Sequence, residues 1–285
     1  RYAVFRDGEA VAQGRLPEVD RDRLISLMVG RAVSQVFPKA SVEIGEEVLR
    51  VERLSRDPEF ADVGFSLRRG EILGVYGLVG AGRSEVMQAL FGLTRADSGR
   101  VTLGGTTLDI RRPEDAIAHG IAYVPEDRQG MGAILQLPVG QNITLPGLSH
   151  LTRFGLLRPA RERAVAGDLA RHLQVRMQGL DQLMQELSGG NQQKVVIAKW
   201  LATNPRVLIL DEPTKGVDVG SKAAVHAFMG ELVARGLSVI MVSSELPEIM
   251  GMADRVMVMR RGRVRAFFDR ADASPEAIVR AATDS

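Results

Sequence analysis

Three glycines crowd the run Gly77-Leu78-Val79-Gly80-Ala81-Gly82-Arg83-Ser84, between an apolar stretch and residues that favour a helix. Glycines so placed let the backbone turn tightly and aim successive N–H groups at an anion, and a helix starting near Gly82 adds the positive end of its dipole. That is phosphate-binding chemistry. The run fits the pattern G-x-x-x-x-G-K-[ST] at every defined position but one, where Arg83 replaces the lysine. Arg83 keeps the positive charge but presents a wider planar fork in place of a compact ammonium. Ser84 is placed to ligate Mg²⁺. A glycine-rich strand-to-helix turn with no ligand is the competing reading of this run alone.

Two further stretches carry the same chemistry. Val207 to Asp211 reads VLILD, an apolar strand ending in a carboxylate, with Glu212 next. An aspartate at the end of a buried strand can hold the water shell of Mg²⁺, and the adjacent glutamate can orient or deprotonate an attacking water. Further upstream, Leu187-Ser188-Gly189-Gly190-Asn191-Gln192-Gln193-Lys194 places Ser188 as a helix N-cap, with paired glycines that leave the first-turn N–H groups open to a phosphate from outside. A plain capped helix accounts for Ser188 and leaves the two glycines unexplained. The 4 histidines, His119, His150, His172 and His226, show no metal-ligand spacing.

The elements that must position these residues follow from apolar patterning. Residues 72–76, 121–124, 207–210 and 237–242 are short, continuously apolar runs, the pattern of strands buried on both faces. From Ser188 onward the order is helix, strand, helix, strand, which predicts a parallel sheet with crossover helices. Residues 48–54 and 63–67 alternate as half-exposed strands, and 100–103 with 106–108 form a hairpin around Gly104-Gly105. Pro113 opens a short helix, 125–146 is loop-rich, and 159–175 is helical.

The chain opens on a hairpin, 1–14, turning at Asp7-Gly8, with an amphipathic helix predicted over 20–28. At a constant offset of 254, Arg1, Val4, Arg6, Gly8 and Ala12 recur as Arg255, Val258, Arg260, Gly262 and Ala266, and Leu24 and Ile25 fall on Ile278 and Val279. A register held through strand, turn and helix reads as an internal duplication, with the chain starting on the last piece of an upstream copy. Residues 32–47, with a proline and few periodic apolar positions, read as a linker.

Composition narrows the function. Lys and Arg number 37 against 35 Asp and Glu, a formal charge of +2, so no basic excess argues for nucleic acid. With Cys 0 there is neither a disulfide framework nor a thiolate metal site. Apolar runs fall well short of the roughly 20 residues that span a bilayer.

The LSGGNQQK stretch, with the phosphate loop upstream and VLILDE downstream, resembles the ABC ATPases, whose signature is LSGGQ. The Asn191-Gln192-Gln193 variant resembles the subgroup that powers import of simple sugars such as ribose, galactose and xylose. The resemblance covers 48–285 as the second of two fused nucleotide-binding domains, 32–47 as linker, and 1–31 as the tail of the first. It implies an α/β P-loop NTPase core with a mostly parallel sheet, an antiparallel β subdomain and a helical signature subdomain. It further implies ATP and Mg²⁺: Gly77, Gly80, Ala81, Gly82, Arg83, Ser84 and Glu85 around phosphate, Ser84 and Asp211 on the metal, Glu212 as catalytic base, and Asp218 in the loop that crosses to the partner domain. Ser188, Gly189, Gly190, Asn191 and Gln192 would face nucleotide bound by that partner.

Two positions depart from the family pattern: Glu126 stands where a glutamine is usual, and Ser244 where a histidine is usual. Glu126 adds negative charge beside a triphosphate, and Ser244 is too short to act as an imidazole. With Arg83, three elements around the γ-phosphate are altered, so the site that this domain builds is expected to be degenerate. Implied partners are the upstream ABC domain, permease subunits facing 127–145 on the cytoplasmic side of the inner membrane and, indirectly, a solute-binding protein. A half that binds nucleotide without turnover is the alternative; a soluble ABC ATPase acting on ribosomes or DNA is disfavoured by the near-neutral charge. Phe60 is a candidate by position to stack on adenine, with a half-buried loop phenylalanine as the equal alternative.

Overall fold

The computed structural model describes residues 1–6, 9–19, 24, 27, 37–39 and 42–284. Strands β1 (Tyr2–Arg6) and β2 (Glu9–Gly14) open the chain, followed by β3 (Glu47–Arg56), β4 (Phe60–Arg68) and β5 (Ile72–Tyr76). Helix α1 (Arg83–Phe91), strands β6 (Ser98–Leu103) and β7 (Thr106–Leu108), helix α2 (Pro113–Ala118) and strand β8 (Ile121–Val124) come next. A helical region follows: α3 (Val139–Thr144), α4 (Leu148–Leu151), a small hairpin of β9 (Thr152–Arg153) and β10 (Leu156–Leu157), α5 (Pro159–His172) and α6 (Gly189–Leu201). The chain then runs through β11 (Val207–Asp211), α7 (Val219–Ala234), β12 (Ser238–Val242), α8 (Leu246–Met252), β13 (Arg255–Arg260), β14 (Arg263–Asp269) and α9 (Pro275–Thr283).

Six strands form the central sheet in the order β14-β13-β5-β12-β11-β8, parallel from β13 to β8 with β14 antiparallel at one edge. Every residue of β5, β8, β11 and β12 is buried, as the unbroken apolar runs require of strands covered by helices on both faces. Parallel pairing brings the C-terminal ends of β5, β11 and β12 to one edge. The phosphate loop, Asp211 and Ser244 therefore converge there.

A second, antiparallel sheet runs β4-β3-β6-β7 and packs on the first. The two meet under the phosphate loop, where Ala61 N–H donates to the Gly262 carbonyl at 2.9 Å. Gly82 sits in the same contact with φ 90°, and a Cβ there would lie 2.9 Å from the Gly262 Cα. Glycine is the residue that both the backbone conformation and the space permit.

The helical region differs from its sequence expectation in two places. Residues 125–146 are largely ordered into a π-helical turn at Arg128–Gly132 and helix α3. The cause is Asn142, 1% exposed, whose side chain accepts from Ile134 N–H at 2.8 Å and donates to the carbonyls of Ile134 and Leu137. Helix α5 stops at His172 instead of continuing to 175, and Gln174 takes a left-handed φ of 51°.

The two terminal hairpins match in detail. Val4 pairs with Ala12 and Val258 with Ala266, and each register shifts at the next step, between Val4 and Phe5 and between Val258 and Met259. The correspondence at offset 254 is thus accompanied by a bulge at the same place in the two hairpins. The turn at Asp7-Gly8 lies outside the described residues, as does most of 20–28, where Leu24 and Leu27 are helical.

Within 32–47, Phe37 is seated instead of spanning free solvent. Its ring lies 5.0 Å from that of His226, and Lys39 Nζ reaches Asp254 Oδ1 at 2.6 Å and the Met252 carbonyl at 2.9 Å. Among the described residues no helix is long and apolar enough to cross a membrane.

Candidate nucleotide site

The phosphate loop leaves β5 at Tyr76 and enters α1 at Arg83, with Gly82 at the N-cap in the left-handed region. At Gly80, φ 78°, an added Cβ would meet no atom within 4 Å, so the left-handed backbone and not lack of space favours glycine there. Ala81 is buried beneath the loop, and Glu85 lies half-buried in the first turn of α1.

Arg83 is 8% exposed. Its Nη2 sits 3.3 Å from Glu212 Oε1, and its Nη1 is buried without a hydrogen-bond partner. A buried guanidinium nitrogen with no acceptor is expensive, and an anion in the loop would satisfy it. Glu212, also 8% exposed, has a left-handed φ of 47°, and its other oxygen accepts from Ser244 Oγ at 3.1 Å. Ser244 thus reaches the glutamate, although it lacks an imidazole's length.

Ser84 Oγ donates to Asp211 Oδ1 at 3.1 Å, and the Tyr123 hydroxyl donates to Asp211 Oδ2 at 2.8 Å. Burial pushes the Asp211 carboxyl up to about 6, against the lowering effect of those two hydrogen bonds. The same burial, with Asp211 alongside, pushes the Tyr123 phenol upward. Two adjacent ligands of an octahedral Mg²⁺ at about 2.1 Å stand roughly 3 Å apart. Ser84 and Asp211 fit that spacing, and a dication would supply the charge that the buried Asp211 lacks.

The signature stretch lies away from these residues, at the start of α6. Ser188 occupies the N-cap, but its hydroxyl accepts from Asn191 Nδ2 at 2.9 Å and from no backbone N–H, which leaves the first-turn amides open. Asn191 Oδ1 in turn accepts from Arg176 N–H at 2.8 Å. The paired glycines have a packing reason as well: a Cβ at Gly190 would come 2.7 Å from the Ser221 Cβ of α7, and one at Gly189 would come 3.0 Å from Arg128 Nη2. Gln192 points inward, 5% exposed, and donates to the carbonyls of Met184 and Leu187. Asp218 caps α7, accepting from Ser221 N–H at 2.9 Å.

A family model described as ABC transporter matches residues 60–215, more than half of the chain. The chain belongs to the ABC transporter family. An ABC relative in Rhizobium meliloti (strain 1021) named ribose import ATP-binding protein RbsA 1 is 60% identical over 282 residues, 99% of this chain and 56% of its own length. A Geobacillus kaustophilus (strain HTA426) protein named ribose import ATP-binding protein RbsA is 47% identical over 283 residues, 99% of this chain and 57% of its own. The chain therefore spans about half the length of the curated relatives it matches. Among solved structures, the ADP conformation of the cassette MJ1267 superposes with a TM-score of 0.68 at 24% identity, covering 84% of this chain and 95% of that one. A nucleotide-free ATP-binding cassette gives 0.69 at 22%, covering 84% and 100%. The expected ABC fold, with its parallel core, antiparallel sheet and helical region, is the one present.

Against that ABC background, three residues join the site without any signal in the sequence. Tyr123 sits within an apolar strand and reads as core until its hydroxyl meets Asp211. Lys215 forms an ion pair with Glu126 that raises the lysine pKa, so the negative charge at Glu126 has a counter-charge beside it. Arg128 donates to the carbonyls of Lys215 and Gly216, tying the helical region to the loop after β11. Phe60 corrects an expectation: at 3% exposure it is part of the core that joins the two sheets, with no free face for an adenine ring.

Proposed function

We propose that this chain is the second nucleotide-binding half of an ATPase that drives import of a simple sugar, ribose being the best-supported class. The observation that carries the reading is the match over 98–99% of the chain, at 47–60% identity, to proteins named for ribose import. In that role 48–285 is the second cassette, 1–31 the tail of the first and 32–47 the connection. The protein acts on the cytoplasmic face of the inner membrane, bound to permease subunits that receive sugar from a solute-binding protein. Residues 127–145, with Met131 51% and Ile134 42% exposed, offer the permease a surface held in shape by Asn142.

The two nucleotide sites of such a pair have unequal work. In the site built by Gly77 to Ser84, Arg83 Nη1 would donate to phosphate, and Ser84 and Asp211 would hold Mg²⁺, which would supply charge neutralisation. Glu212 is occupied by Arg83 and Ser244, so its carboxylate is less available to a water than an unpaired base. Ser188, Gly189, Gly190 and Asn191 complete the other site, on the upstream domain, where hydrolysis takes place.

The test uses the full-length protein with its permease in proteoliposomes and the solute-binding protein supplied, reading ribose-stimulated ATP hydrolysis and uptake. Ser188→Arg is expected to lower turnover about 100-fold, as loss of transition-state donors does, and Glu212→Gln less than about threefold. Equal losses from the two changes would defeat the asymmetry, and no stimulation by ribose in the unaltered complex would defeat the substrate.

A further inference from the structure

The hairpin of β9 and β10 carries an apolar tip that none of the described residues covers. Phe154 is 90% exposed, Leu156 74% and Leu157 41%. Such residues scattered singly would be ordinary, but three within one turn make a patch. The backbone holds them outward. Phe154 has φ 53° and Gly155 φ 79°, so the pair forms a tight turn whose first position ordinarily takes Asn or Gly, yet here it carries an aromatic ring into solvent.

Charge around the tip is mainly positive: residues 152–163 hold Arg153, Arg158, Arg161 and Arg163 against the single carboxylate of Glu162. The Arg153 guanidinium lies 5.2 Å from the centre of the Phe154 ring. Arg158 and Arg161, both exposed at the start of α5, make none of the side-chain hydrogen bonds or ion pairs found among the described residues. Glu162, half-buried, accepts from Thr144 Oγ1 at 2.9 Å and keeps its charge, and Arg163 pairs with Asp181 at 3.1 Å, so Arg158 and Arg161 leave the stretch with a net positive face. The patch thus combines insertable apolar side chains with unneutralised guanidinium groups that can stay at the level of phosphates while their stems follow the apolar tip.

We propose that residues 152–161 form a docking surface for an anionic lipid bilayer, with Phe154 and Leu156 entering the headgroup boundary and Arg153, Arg158 and Arg161 facing lipid phosphates. An acidic protein surface would satisfy the arginines, but it would need a matching pocket for a ring and two leucines projecting from a narrow turn. A lipid surface accepts that shape without one. The surface lies outside the nucleotide site, and its test requires neither transport nor hydrolysis.

The experiment is vesicle flotation of the full-length protein without its permease. Binding is expected to phosphatidylglycerol-rich vesicles, to be much weaker to pure phosphatidylcholine, and to fall with added salt. Replacing Arg158 or Arg161 by Gln should weaken binding about fivefold each, the effect of one basic residue at an anionic surface. Phe154→Ser with Leu156→Ser should abolish it; because all four positions are exposed, the fold and the ATPase rate should remain unchanged. Equal binding to both lipids, or binding indifferent to these substitutions, would overturn the proposal. So would an absence of vesicle binding, and if the serine double variant then also lost its permease, the hairpin would belong to a protein interface.

Discussion

Arg83 and Glu212 neutralise each other where neither is more than a tenth exposed, and one guanidinium nitrogen remains without an acceptor. If that nitrogen serves the terminal phosphate, Arg83→Ala will weaken ATP by about 10- to 100-fold, the value of one charge-assisted hydrogen bond, and ADP by clearly less. Titration with fluorescent ATP and ADP analogues would decide it, since equal losses exclude a terminal-phosphate contact. Glu248 poses a different question. Burial pushes its carboxyl up, but hydrogen bonds from His226, at 2.6 Å, Ser243 and Thr214 outweigh it, so the pKa lies below the ordinary 4.5. A carboxylate with a depressed pKa contributes stability above its unfolded value and loses it as pH falls through the folded one. Glu248→Gln should therefore destabilise by roughly 3 kcal/mol at neutral pH, as when one member of a buried pair is removed, and by less and less below about pH 4.5. Urea melts of the two proteins across that range would show the gap closing on the acid side; a gap constant with pH would mean that the carboxylate charge contributes nothing.

At the level of elements, what the sequence discloses depends on whether a residue's role is local. The strands 72–76, 121–124 and 207–211 appear with their structural bounds because burial on both faces demands an unbroken apolar run, and the phosphate loop is legible because its glycines serve its own backbone. Asn142, Tyr123, Lys215 and Arg128 were not legible: each acts on a partner made near only by folding, and an isolated polar residue carries no periodicity. Gly190 shows both kinds of information. Its place in LSGGNQQK marks a helix start open to phosphate, while its contact with Ser221 is tertiary. If close packing of α6 on α7 requires the glycine, Gly190→Ala will cost about 1–3 kcal/mol, the usual range for overpacking. Removing the obstructing side chain by Ser221→Gly should recover about half of that in a double-mutant cycle, and strict additivity would show that α7 is not what constrains Gly190.

Across the whole molecule, Phe37 and Lys39 fix the segment before β3 onto α7 and α8. Phe37 lies over Gly251, where a Cβ would come 2.5 Å from the Phe37 Cγ, and against the His226 ring. His226 continues to Glu248, Glu248 to Ser243, and the next residue, Ser244, to Glu212, so a contiguous chain of contacts runs from this segment to the nucleotide site. Burial pushes the Lys39 pKa down while Asp254 holds it up, the environment of an ammonium inserted into a docking contact instead of one trailing in solvent. If the seat is real, size at positions 37 and 251 must be coupled. Phe37→Ala should destabilise the fold by about 1–3 kcal/mol through the cavity it leaves, and Gly251→Ala by a similar amount through collision with the ring. The double variant should then lose clearly less stability than the sum of the two single losses, because alanine at 251 fills part of the space that the ring vacates. Chemical denaturation of all four full-length proteins, followed by hydrogen exchange in α7 and α8, would measure this; additive losses, or an indifferent Phe37→Ala, would show that the segment passes over the cassette without being held by it.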